Sequence, residues 1–136
     1  SVTNCGPDHP HNPFPCGPAR EIAEGQLYGG IAHGIGNTLF EWMRYDDAAQ
    51  PVTATLAEYL LVTAPEMPRA DLILHETPTT RNPLGVKGIG ECGLMPATSA
   101  IVSAIEDALS PFDAHLTRVP LTPPDILAAI AAGSGD

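Results

Sequence analysis

The chemistry of this 136-residue chain is concentrated in Gly85-Val86-Lys87-Gly88-Ile89-Gly90-Glu91-Cys92-Gly93. Four glycines frame one lysine and one glutamate there, with Pro83 just upstream. Glycine has no Cβ, so the backbone can turn through positive φ and come close to a ligand. The amides of Gly88, Ile89 and Gly90 could cradle oxygen atoms in the manner of an anion nest. Glu91 is a candidate general base, because a carboxylate on a short glycine-framed turn can be held within reach of the proton it takes. Lys87 could pair with Glu91 or reach an anionic group. Cys92 is an alternative nucleophile, with His33, His75 or His115 as its base, although no local signature joins it to any of them. The plain alternative is a glycine-rich turn leading into a helix. The segment has neither the order of a Walker A loop nor that of a dinucleotide fingerprint.

Something must hold this turn in place. Upstream, Leu27, Ile31, Ile35, Leu39 and Met43 recur every fourth residue, with Phe40 beside them, which predicts a helix from Arg20 to about Arg44. The same stretch contains Gly25, Gly29, Gly30, Gly34 and Gly36. Each costs an isolated helix about 1 kcal/mol relative to alanine. A tertiary contact must compensate, and small residues would let another backbone or a flat ligand lie close. His33 falls among them. Downstream, Ala97, Ile101, Ile105 and Leu109 predict a second helix ending near Ser110-Pro111. Thr122-Pro123-Pro124-Asp125 is a capping sequence that predicts a short last helix over Ile126–Ala132. Between these, Asp46–Pro51 reads as a polar turn and Leu56–Val62 as a short helix or turn. Thr53–Thr55, Asp71–Glu76 and Ala114–Val119 read as strands. The expected fold is α+β, with glycine- and alanine-rich helices packed on a small mixed sheet. It would occupy residues 20–132, between a proline-rich segment at 1–19 and a flexible tail at 133–136.

Residues 1–18 hold five of the 15 prolines, which breaks regular structure. Cys5, His9, His11 and Cys16 in that stretch could in principle bind zinc. Their spacing is tighter than finger patterns, so a turn-rich segment without metal is the preferred reading. Three cysteines do not make a disulfide framework, and a reducing, cytoplasmic setting is the simpler expectation. The net charge is −10, and the six basic residues are scattered, which argues against nucleic-acid binding. No apolar run approaches the roughly 20 residues of a membrane span.

Read together, several segments resemble one family. They are Glu24-Gly25-Gln26, Gly29-Gly30-Ile31-Ala32-His33-Gly34-Ile35-Gly36, Leu39-Phe40-Glu41, Leu56–Leu61, Asn82–Glu91 and Pro96–Ala108. In this order they resemble the C-terminal part of the molybdenum-binding subunit of the xanthine dehydrogenase / aldehyde oxidase family, in particular its carbon monoxide dehydrogenase large-chain type. The resemblance covers roughly residues 20–130. It implies part of a molybdopterin-binding domain, with Glu91 as the active-site base of a hydroxylation that takes its oxygen from water. It implies that His33, Gly34, Lys87, Gly88, Ile89 and Gly90 lie against the molybdenum–molybdopterin cofactor, expected in its cytosine dinucleotide form. It also implies a small-molecule substrate and electron exit through iron–sulfur and FAD partner subunits. His33 stands where many members have glutamine, and the proline-rich start departs from the family pattern. The chain is too short for a whole molybdenum subunit, so the remainder of that subunit is an expected partner, and the isolated chain is expected to be inactive. A scaffold module that has kept the fold and lost the site is the alternative.

Overall fold

The computed structural model describes residues 17–75, 77, 79–83 and 85–133, with side chains from Arg20 onward. Three α-helices carry the architecture: α1 (Gly17–Ile35), α2 (Ala97–Leu109) and α3 (Pro123–Gly133). The Cys5, His9, His11 and Cys16 cluster and the last three residues lie outside the described residues.

α1 does not reach Arg44. It widens into a π-helical turn over Gly36–Phe40, closed by Glu41 N–H donating to Gly36 O at 2.8 Å. Glu41 itself is extended, with φ −78° and ψ 115°. The side chain of Thr38 donates to Gly34 O at 2.6 Å, a back-bond that competes with the regular helix ladder. Met43, the last residue of the expected stripe, therefore lies beyond the helix and is exposed.

The other two helices run as their sequences predict. α2 stops at Leu109, and a 3₁₀ turn over Ser110–Phe112 takes the chain away from it. At the start of α3, Asp125 N–H donates to Thr122 O at 2.9 Å, and Thr122 N–H donates to Asp125 Oδ2 at 3.0 Å. The Thr122 hydroxyl reaches the same carboxylate oxygen at 2.5 Å. The capping sequence is thus formed, with an aspartate in the place usually held by glutamate.

The described residues do not bear out the expected sheet. Among the described residues there is no strand; an isolated antiparallel bridge joins Tyr45 to Pro51 across the polar turn, and Lys87 is a further bridge residue. Residues 53–55, 71–75 and 114–117 join no such ladder. β-rich composition records how well a segment would fit a paired neighbour, and the described chain sets no second strand beside any of these. Ile73, in the most strand-like of them, is 91% exposed.

The core is a thin seam. Ala23, Ile35, Ala97, Ala114 and Leu121 are its buried apolar residues, joined by Thr38 and Thr53. Leu121 N–H donates to Thr38 O at 2.7 Å, which ties the segment before α3 to the π-turn. A strap over residues 63–75 crosses α1, where Tyr28 Oη donates to Ala70 O at 2.6 Å. Its 3₁₀ turn, Ala64–Glu66, is closed by Glu66, which accepts from Thr63 N–H at 2.7 Å and from the Thr63 hydroxyl. Between α1, α2 and the strap, an open groove of about 560 Å³ remains. No helix of the described residues is long and apolar enough to cross a membrane.

Candidate functional site

The 85–93 loop is built from its own backbone and one side chain. Gly85 takes φ 65°, a conformation open to glycine at little cost. Its N–H donates to Asn82 O at 3.1 Å. The Asn82 carboxamide then clamps the next residue in both directions: Val86 N–H donates to Asn82 Oδ1 at 3.1 Å, and Asn82 Nδ2 donates to Val86 O at 3.0 Å. Lys87 Nζ donates to Thr77 Oγ1 at 2.8 Å, so the lysine braces the loop instead of pairing with Glu91.

Beyond Gly90 the chain coils into α2. Cys92 N–H donates to Ile89 O at 3.0 Å, and the N–H groups of Leu94 and Met95 both donate to Glu91 O at 3.1 Å. The Glu91 backbone is therefore fixed by the turn that follows it. Its side chain is exposed, and none of the described residues hydrogen-bonds or pairs with its carboxylate. The N–H groups of Gly88, Ile89 and Gly90 donate to none of the described residues either. One short stretch thus carries three amides that have no partner among the described residues and one exposed carboxylate.

Two glycine contacts set this stretch against α1. A Cβ on Gly93 would lie 2.5 Å from Leu27 O, and a Cβ on Gly30 would lie 2.8 Å from the Gly93 carbonyl carbon and from Leu94 N. Real Cβ atoms do not approach backbone so closely, so glycine is required at both positions. One turn on, a Cβ on Gly34 would collide with the Cβ of Ala97. Gly34 is buried against α2, so its close neighbour is protein. On the other side of α1, a Cβ on Gly25 or Gly29 would meet none of the described residues within 4 Å, and the same holds for Gly88 in the loop. A Cβ on Gly90 would find only Gln26 Oε1, at 3.9 Å. His33 is exposed and follows Gly25 and Gly29 at four-residue spacing, which places it on their face of α1.

Cys92 Sγ lies 3.8 Å from Gly88 O. Neither His33, His75 nor His115 hydrogen-bonds it, and the His115 Nε2 contact is with Asp113 at 3.8 Å. Among the described residues no group of three or more His, Cys, Asp or Glu side chains could hold a metal ion. Sequence reasoning missed the clamping role of Asn82 and the placement of Gln26 beside Gly90. An Asn-Pro pair ahead of a glycine is a turn signal, and it was available at Asn82-Pro83. Nothing local marks Gln26.

The chain carrying this glycine-bearing helix and loop matches a known class of domain. Residues 19–68 match the molybdopterin cofactor-binding domain family. The chain is 41% identical over 108 residues to the nicotine 6-hydroxylase large subunit of Paenarthrobacter nicotinovorans, covering 79% of this chain and 13% of that one. It is 28% identical over 99 residues to the carbon monoxide dehydrogenase large chain of Afipia carboxidovorans, covering 73% of this chain and 12% of that one. The crystal structure of quinoline 2-oxidoreductase from Pseudomonas putida 86 superposes with a TM-score of 0.80 at 42% identity, over 83% of this chain and 14% of that one. Fold and site together define a segment of a molybdopterin-binding domain. The chain belongs to the family of molybdenum-binding large subunits that includes those of xanthine dehydrogenase and carbon monoxide dehydrogenase. It spans about an eighth of the length of these relatives, 13% for the nicotine hydroxylase subunit.

Proposed function

We propose that this chain forms one wall of the active site of a molybdenum hydroxylase and supplies its base, Glu91. The observation that carries the reading is the run of Gly88–Gly90 amides with no partner among the described residues beside the exposed Glu91 carboxylate, on a loop locked by Asn82 and seated on α1. The residues present fit a molybdopterin. A flat, acceptor-rich group needs glycine faces that allow close approach and free N–H donors, and Gly25, Gly29 and Gly88–Gly90 offer both. Bound there, the cofactor would supply the redox chemistry, accepting the electron pair released when water oxygen is inserted into the substrate.

The chain's own residues do the remaining work. Gly88, Ile89 and Gly90 donate their amides to the cofactor's oxygen and nitrogen acceptors. Lys87, braced on Thr77, fixes the height of the loop. His33 presents its imidazole from the outer face of α1, and Gly34 contributes by letting α1 and α2 meet. Glu91 takes a proton from the activated water oxygen as substrate is attacked; a fixed backbone holds it ready for that transfer without a partner to displace. The cofactor is assigned as the cytosine dinucleotide form, with iron–sulfur and FAD partner subunits carrying electrons away in the cytoplasm. The nicotine and quinoline named for two relatives contain nitrogen heteroaromatic rings, and a substrate of that class is the one to test first.

The test is purification of the assembled complex from its source organism through a tag on this chain. Metal analysis should find about one molybdenum per chain, with cytosine nucleotide released on hydrolysis, alongside iron–sulfur and flavin absorbance. A complex without molybdenum would overturn the reading in favour of a scaffold that has lost its site.

A further inference from the structure

The apolar stripe of α1 reads from sequence as the face that builds the core, yet it is not sealed. Leu27, Ile31 and Leu39 are only half-buried and form one wall of the open groove. Ile101 of α2 forms the second wall, and Pro68 and Leu72 of the strap form the third. An amphipathic helix gains its stability by covering such a face, so a stripe left open marks a missing partner.

The lining says what kind of partner. Pockets for small ligands set a few free polar groups to orient the guest. Here the ionisable side chains are Glu66 and Cys92. Glu66 Oε2 already accepts from the Thr63 hydroxyl and Thr63 N–H, which also hold the carboxyl pKa below the usual carboxylate value. Cys92 Sγ is directed to Gly88 O. Few groups remain to anchor a polar guest, whereas aliphatic side chains would complete the core.

We infer that the groove between α1, α2 and the strap seats an apolar segment of the same molybdenum-binding subunit, from the part lying outside these 136 residues. The lengths support this occupant. The 42%-identical quinoline enzyme superposes on 83% of this chain but only 14% of its own, so most of its subunit is available to lie against this domain. The inference rests on the proposed function, since it takes the partner to be a molybdenum subunit. It has a consequence for the site: Gly93 lies both on the groove and against Leu27, two residues from Glu91, so the seated segment would fix the base's turn from behind.

The test uses the assembled complex. Ala100 lines the groove and is exposed on this chain, so its substitution leaves the chain's own packing intact. A photo-cross-linking p-benzoylphenylalanine at Ala100 should join to an aliphatic-rich peptide of the molybdenum subunit outside these residues. Ala100→Arg, which would bury an unpaired charge, should lower recovery of the assembled subunit about tenfold, and Ala100→Ser should not. Cross-links to a second copy of this chain or to a flavin or iron–sulfur subunit would overturn the inference. So would undiminished assembly of Ala100→Arg. If the unsubstituted complex holds no molybdenum subunit, the proposed function fails first; if it does and Ala100→Arg assembles fully, only the groove assignment fails.

Discussion

α1 carries glycines on two sides, and the two sides are used differently. On the inner side, Gly30 and Gly34 meet the Gly93–Leu94 backbone and Ala97, with no room for a methyl group. On the outer side, none of the described residues lies within 4 Å of where a Cβ on Gly25 or Gly29 would stand. Both sets weaken an isolated helix by the same intrinsic amount. The inner set offsets that cost within this chain, by letting α1 and the loop that holds Glu91 lie backbone to backbone. The outer set has no contact among the described residues to offset it. In the proposed function its compensation comes from the cofactor lying against α1, so the outer face belongs to that proposal and the inner face to the fold.

Substitution separates the two sides. Gly30→Val should be the most damaging, because the obstacle is backbone that cannot move aside; we expect at least about 3 kcal/mol of destabilisation and little folded protein, read by soluble yield and thermal unfolding of the complex. Gly29→Ala should do the opposite to stability, raising it by up to about 1 kcal/mol through helix propensity while lowering molybdenum content. Equal effects of the two substitutions would dissolve the distinction. Thr122→Ala, remote from both faces, should cost about 1 kcal/mol by removing the cap of α3, with molybdenum content unchanged.

The smallest effect is one of pH at the same cap. Hydrogen bonds from Thr122 and Arg118, with the nearby Arg118 charge, hold the Asp125 carboxyl at about 2, below its ordinary 3.8. Depressed in the folded state, this group contributes stability that is fully present above the unfolded value and lost as pH falls from about 4 to about 2. Acid titration followed by circular dichroism should therefore show a shallower loss in that window for Asp125→Asn than for the unsubstituted protein.

Much of this organisation was legible in the residues. The end of α2 at Leu109 follows from Ser110-Pro111, and the start of α3 from the threonine–proline–aspartate cap. The glycine-framed turn around Glu91 was visible because glycine's reasons are local. The direction each glycine of α1 faces was not, since only the packed structure decides which of them meets backbone. The end of α1 was also hidden: Thr38 and Gly36 redirect the ladder into a π-turn, and an unbroken four-residue stripe cannot register that. The sheet failed for a related reason. Asp71–His75 has the composition of a strand, but pairing depends on a neighbour that the described chain does not provide. A stripe or a strand-like run states that a face wants covering, and leaves open whether the cover lies in the same segment.

The central claim is that this wall contributes the base. Glu91→Gln in the assembled enzyme keeps the size and turn geometry of the side chain and removes its ability to accept a proton. Turnover should fall by about 10²- to 10⁴-fold, the usual worth of a positioned general base, while molybdenum content stays within error of the unsubstituted enzyme. Turnover that survives the substitution at full molybdenum content would contradict the assignment.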